Sequence, residues 1–149
     1  MTQYLLDTNV VSSFAPGKPA GTEPAGDVET WFARNSRDLF ISAMTVMEIE
    51  SGIERLAKRG SIRRSSQLAA WFSGLLRSYR ERVLAFDREV ASVAGRIEAE
   101  SIVKGRNPGL PDVIIAATAT TYRLTVLTRN LRHFRPLGVT AIDPFREFV

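Results

Sequence analysis

Apolar residues alternate along this chain between short unbroken runs and longer stretches in which they recur every three or four positions. The short runs are Gln3 to Leu6, Leu39 to Ile41, Val83 to Phe86, Leu124 to Leu127 and Val139 to Ile142. Runs of this length, bounded by turn residues and rich in Leu, Val and Ile, predict strands buried on both faces.

The longer stretches predict helices. A helical turn or short helix runs from Asp7 to Phe14, and Asp27 is placed to cap a helix with Val28, Trp31 and Phe32 on one face. Ser42 caps a long helix reaching about Arg59, where Gly60 stops it. Leu68, Trp71, Phe72, Leu75 and Leu76 mark a helix over Arg64 to Tyr79. Asp87 and Glu89 open one through Val90, Val93, Ala94, Ile97 and Ile102, and Pro111 starts another that ends near Tyr122. Ala15 to Asp27, dense in Pro and Gly, reads as a flexible surface loop, and Lys104 to Gly109 as a polar one.

Short strands alternating with helices predict a mostly parallel sheet covered by helices on both faces. There is no internal repeat, low-complexity tract or sign of a second domain, so residues 1–149 are expected to form a single domain. In such sheets ligands bind outside the carboxyl ends of the strands. Asp7 follows the first strand and Thr128-Arg129-Asn130 the fourth, so both fall on that edge.

Composition narrows the chemistry. Cysteine is absent and His133 is the sole histidine, which excludes disulfides, thiol nucleophiles and multi-histidine metal sites within one chain. A bound metal would therefore have oxygen ligands, favouring magnesium or manganese. The net charge is +4, carried by 17 Arg against 3 Lys. Arginine suits bidentate phosphate recognition, although a genome-wide Arg preference explains the same bias, so charge permits a nucleic-acid partner without requiring one. No apolar run approaches the roughly 20 residues of a membrane helix, and no basic segment leads into a long apolar stretch at the N-terminus. A cytoplasmic location is expected.

Asp7, Glu48 and Asp112 each stand among core-like residues: after Tyr4-Leu5-Leu6, within Ala43 to Ile49, and before Val113-Ile114-Ile115. Carboxylates are rarely buried without a partner, because losing their water is costly. Singly, each has an ordinary explanation as a helix cap, a solvated face or a first-turn acid. Together they invite a shared one, a bound divalent cation.

Four segments in order carry a resemblance: Leu5-Leu6-Asp7-Thr8-Asn9-Val10, Ser42 to Gly52 with Glu48-Ile49-Glu50-Ser51-Gly52, Pro111 to Thr118, and Leu127-Thr128-Arg129-Asn130. Gly138 to Phe145 adds a closing segment. The chain resembles the PIN-domain nucleases, most closely the VapC-like toxins of bacterial toxin–antitoxin pairs. The resemblance implies a three-layer α/β/α PIN-like fold with a mostly parallel sheet of about five short strands. It further implies an endoribonuclease that cuts RNA to leave a 5′-phosphate and a 3′-hydroxyl. Asp7, Glu48 and Asp112 carry over as catalytic acids that bind magnesium or manganese. A cognate antitoxin protein and a homodimer are the implied partners.

One departure stands out. Many family members have a fourth acid directly after Thr-Arg, where this chain has Asn130. An amide oxygen still ligates a hard cation but brings no charge, so one well-occupied ion and a weaker second are expected. Others with Asn there carry an acid three residues on, where this chain has His133, for which a structural or surface role is expected ahead of a base. Thr128 is a candidate for positioning water or phosphate, or for strand-end hydrogen bonding. Arg129, Arg132 and Arg135 recur every three residues, as a phosphate-facing helical face or a solvated turn would. Arg55, Lys58, Arg59, Arg63 and Arg64 form a second basic cluster, and Asp87 is read as a cap. The competing readings are a catalytically weak RNA-binding or antitoxin-binding module, and a haloacid-dehalogenase-type phosphatase. The second is disfavoured by Asp7-Thr8-Asn9 where that class has Asp-x-Asp.

Overall fold

Five short apolar segments assemble into one parallel sheet: β1 (Tyr4–Leu6), β2 (Leu39–Ser42), β3 (Val83–Leu84), β4 (Thr125–Leu127) and β5 (Ala141–Ile142). They are ordered β3-β2-β1-β4-β5. The computed structural model describes residues 1–148. Between the strands run α1 (Thr8–Ser13), α2 (Gly26–Arg34), α3 (Ala43–Lys58), α4 (Ile62–Tyr79), α5 (Arg88–Val103), α6 (Leu110–Tyr122) and α7 (Leu131–Phe134), and α8 (Pro144–Glu147) follows β5.

Alternate residues of each strand point to opposite faces, and both faces are covered. Leu5 packs with Ile114 and Ile115 of α6 and with Phe134 of α7. Leu6 points the other way, against Val10 and Val11 of α1, Val28 and Phe32 of α2 and Phe72 of α4. The α/β/α layering expected from the strand–helix alternation is therefore present. In α6 every residue from Val113 to Ala119 is buried, which explains why its sequence shows no polar stripe. It is a core helix, with Asp112 at its mouth.

The chain moves from β1 outward to β3, then crosses back to lay β4 on the other side of β1. The strand order thus reverses between β1 and β4, the place where open α/β sheets form a crevice for ligands. Asp7 and Thr128 are the residues just past those two strands.

Several boundaries differ from expectation. The edge strands are shorter: β3 pairs only through Val83 and Leu84, whose partner Ser42 is the last residue of β2, and β5 only through Ala141 and Ile142. Ala85 and Phe86 leave the sheet, and Phe86 lines an apolar surface groove with Met47, Leu110 and Pro111. α2 begins at Gly26 with Ala25 at its cap position, so Asp27 lies inside the first turn, where the helix dipole favours an acid. α4 starts at Ile62, two residues before Arg64. The Ser42 and Asp87 caps form as expected, accepting from Thr45 N at 3.2 Å and Val90 N at 3.0 Å. Among the described residues no helix is long and apolar enough to cross a membrane.

Candidate metal centre at the strand switch point

Asp7 is fixed on three sides. Its backbone N–H donates to Leu127 O at 2.9 Å, clipping the end of β1 to the end of β4. Its Oδ1 accepts from Thr8 N at 2.8 Å, capping α1, and its Oδ2 accepts from the Thr128 hydroxyl at 2.7 Å. The residue is only 5% exposed, and burial raises its pKa from 3.8 to about 6. The hydrogen bonds from Thr128 and Thr8 pull the other way, while the nearby charges of Asp112 and Glu48 add to the rise. Among the described residues no Lys or Arg forms an ion pair with Asp7.

Glu48 arrives from the second turn of α3, which Ser42 aims away from the end of β2. Its Oε1 accepts the Thr8 hydroxyl at 2.7 Å. That hydroxyl also lies 3.0 Å from the hydroxyl of Thr45. Thr8 has one proton and Glu48 can only accept it, so Thr45 donates to Thr8. Asp112 comes from the first turn of α6, and its Oδ2 lies 3.2 Å from Nδ1 of His133 on α7.

The three sequence-predicted acids therefore share one edge of the sheet and one electrostatic field. Thr8 tethers both Asp7 and Glu48, while Asp112 is held apart by His133, and among the described residues no three acidic or histidine side chains form a ready metal cage. Asn130 is exposed, and its backbone N–H donates to the Thr128 hydroxyl at 2.9 Å. The donor set still fits a hard cation. It offers carboxylate oxygens from three elements, one of them on a buried acid that carries no cationic partner.

The substrate-side residues divide. Thr128 is fully buried with its hydroxyl committed to Asp7 and Asn130, so it orients a site carboxylate and does not face a substrate. Arg129, Arg132 and Arg135 do not form one helical face: Arg129 precedes α7, Arg132 lies within it, and Arg135 opens the 3-10 turn that follows. Arg129 stacks its guanidinium 4.0 Å over the ring of Phe145, and its backbone N–H donates to Asn9 Oδ1 at 3.4 Å. Arg132 lines a cavity beside Asp112, and Arg135 stays outside it.

Thr8, Thr45, Asn9 and the contact of His133 with Asp112 escaped sequence reasoning. The polar pair after Asp7 was a signal for Thr8 and Asn9. Nothing local marked Thr45 or the His133 contact, since their partners lie 37 and 21 residues away.

Comparison with known proteins agrees with this geometry. The family model for the PIN domain matches residues 4–137, which include all three acids and Asn130. The chain is 30% identical over 149 residues to Toxin FitB of Neisseria gonorrhoeae, covering 96% of this chain and 99% of that protein. It is 30% identical over 140 residues to the tRNA(fMet)-specific endonuclease VapC of Shigella flexneri, covering 93% and 94%. The crystal structure of FitAcB from Neisseria gonorrhoeae superposes with a TM-score of 0.81 at 29% identity, covering 97% of this chain and 99% of that one. DNA-bound VapBC from Salmonella typhimurium gives 0.80 at 29% identity, with the same coverage. By sequence along nearly its whole length, and by a fold that sets acids at the β1–β4 switch point, this chain belongs to the PIN-domain family and to its VapC-like toxins.

Proposed function

We propose that this single domain is a divalent-metal-dependent endoribonuclease, the toxin of a toxin–antitoxin pair acting in the cytoplasm as a homodimer held in check by its cognate antitoxin. The observation that carries the reading is Asp7: a buried carboxylate at the strand switch point, facing Asp112 and Glu48, with no basic group to neutralise it. A buried carboxylate without a cationic partner among the described residues, with two partly exposed acids adding to its charge, suits a cation site. The names of the relatives, a toxin and an endonuclease acting on a tRNA, support RNA as the substrate class.

Asp7, Asp112 and Glu48 would hold magnesium or manganese, with the Asn130 amide at the margin. Such an ion, when bound, supplies Lewis-acid charge to a phosphodiester and makes water a stronger acid. The chain's own residues do the rest. Thr128 and Thr8 fix the Asp7 carboxylate by one hydrogen bond to each oxygen, and Thr8 orients Glu48 by donating to it. His133 steers Asp112. A carboxylate of the triad that is not committed to a hydroxyl can take a proton from water as it attacks phosphorus. Arg129 and Arg132, at opposite flanks, attract the phosphate backbone. Hydrolysis breaks the P–O3′ bond, leaving a 5′-phosphate and a 3′-hydroxyl.

Purified protein incubated with RNA and magnesium or manganese tests this reading. Cleavage is expected with either ion, is abolished by chelation, and is lost in Asp7→Asn and Asp112→Asn, both folded by circular dichroism. Full activity in either variant would remove the chemistry proposed.

A further inference from the structure

Two cavities open on opposite sides of the acid cluster, and each joins a site carboxylate to free cations. The first, of about 360 Å³, has Asp112 and His133 on one wall and Arg106, Asn107, Pro108 and Arg132 on the others. The second, of about 280 Å³, has Thr8 and Glu48 on one wall and Lys18, Arg64 and Trp71 on the others. Both volumes lie close to the low end of the roughly 300–1,000 Å³ that small-molecule sites occupy. Asp7 lies between them in the network, tied to Glu48 through Thr8 and feeling the charge of Asp112.

Resting on the nuclease reading above, we propose that these cavities are two nucleotide subsites of one RNA strand, which enters at Lys18–Arg64–Trp71, crosses the acids at Asp7 and leaves at Arg106–Asn107–Arg132. Three features point to a polyanion. First, the cations are unspent: among the described residues neither Lys18, Arg64, Arg106 nor Arg132 pairs with an acid. Second, the cations of the Glu48 side are crowded together. Burial and the charges of Arg129 and Arg64 push the Lys18 ammonium below its ordinary pKa, a like-charge arrangement that an incoming phosphate relieves. Third, both sides are pre-built. Arg64 Nη1 donates to Pro16 O at 2.6 Å and so holds the loop that carries Lys18. Arg106 Nη1 donates to Pro136 O at 3.1 Å and bridges the two walls of its cavity.

The linings suit single-stranded RNA, whose unstacked bases are held by stacking and by edge hydrogen bonds. Trp71, partly buried against the core, lines the Glu48-side cavity and gives it an aromatic wall for a base. On the other side the guanidinium of Arg106 offers a flat cation, and the Asn107 amide offers a donor and an acceptor for a base edge. A strand held on both flanks of the acids is cut internally, so endonucleolytic cleavage follows from the layout. Base preference then falls chiefly on the nucleotide beside Asn107.

The test uses a fluorescent oligoribonucleotide of eight residues, titrated by anisotropy against the full chain in chelator, which withholds the ion that cleavage needs. Lys18→Ala and Arg132→Ala should each weaken binding several-fold and each lower the slope of log Kd against log salt by about one. The double variant should combine both losses, because one strand spans both cavities. Binding unchanged in either single variant, with melting temperature preserved, would overturn the two-subsite path. A full loss already complete in one single variant, with none added by the second, would overturn the spanning strand. Cleavage of unmodified RNA by the wild-type chain is scored separately, so failure of the nuclease reading shows there and not in these binding curves.

Discussion

The hydroxyl of Thr128 donates a 2.7 Å hydrogen bond to Oδ2 of Asp7, joining residues 121 positions apart at the ends of adjacent parallel strands. Thr128 is fully buried, and the same oxygen accepts from Asn130 N at 2.9 Å. One side chain thus orients the buried acid and shapes the turn that leaves β4. Thr128→Val keeps the shape and removes the oxygen, stranding one donor and one carboxylate oxygen. The expected loss is about 2–3 kcal/mol at pH 7, in the range for hydrogen bonds to charged groups. Urea unfolding measures it, and Thr128→Ser should restore most of it.

Asp7 gives stability a pH dependence of known sign. Its folded pKa, about 6, lies above its unfolded value of 3.8, so the native state holds the proton more tightly. The stabilisation from that proton is complete below pH 3.8 and is lost as pH rises through about 6. The difference of roughly two pKa units corresponds to about 3 kcal/mol at most. Asp7→Asn, which cannot ionise, should therefore unfold at higher urea than wild type at pH 7 and lose the decline between pH 4 and 6. Equal stability of the two proteins at pH 7 in chelator would contradict the burial argument.

Divalent metal should reverse that penalty. An ion that binds only the folded chain stabilises it by mass action, about 2.7 kcal/mol at a hundred times its Kd. Magnesium or manganese is expected to raise the melting temperature of wild type and to leave Asp7→Asn unmoved. Calorimetric titration should show one strong ion and one weak one. Two ions of similar affinity would contradict the role given to Asn130, and Asn130→Asp should tighten the weaker ion about tenfold, or 1.4 kcal/mol.

Gly17 makes a prediction about the loop that carries Lys18. Its φ of +72° lies where side chains are strained, and an added Cβ would stand 2.6 Å from Nη1 of Arg64. The guanidinium can swing away, but only by leaving Pro16 O. Gly17→Ala should cost about 1 kcal/mol from the backbone alone. It should also weaken RNA binding on the Glu48 side while leaving metal-induced stabilisation intact, which separates the loop from the acids.

Asp7, Glu48 and Asp112 were candidates in the linear chain because each sits against an apolar run whose burial the sequence already implies, and the family resemblance joined them into one set. Strand identity was legible for the same reason, since a run such as Leu124 to Leu127 has nowhere to go but the core. The extents of β3 and β5 were not legible, because register between strands decides them: β3 stops at Leu84, whose partner Ser42 is the last residue of β2. Nor was the role of Thr128. Its hydroxyl serves Asp7 only because β4 crosses back to lie beside β1, and no local pattern encodes that crossing.

The linear order of residues by itself determined the alternation of strands and helices, the choice of hard oxygen donors in a chain with no cysteine and one histidine, and the three acids. Tertiary structure alone decided which hydroxyls orient Asp7 and Glu48, that His133 meets Asp112, and that Arg129 and Arg132 flank the cluster separately. The physical reason is range. Burial and periodicity act on neighbours in sequence, whereas hydrogen bonds and charge coupling act across the few ångströms that only the folded chain brings together.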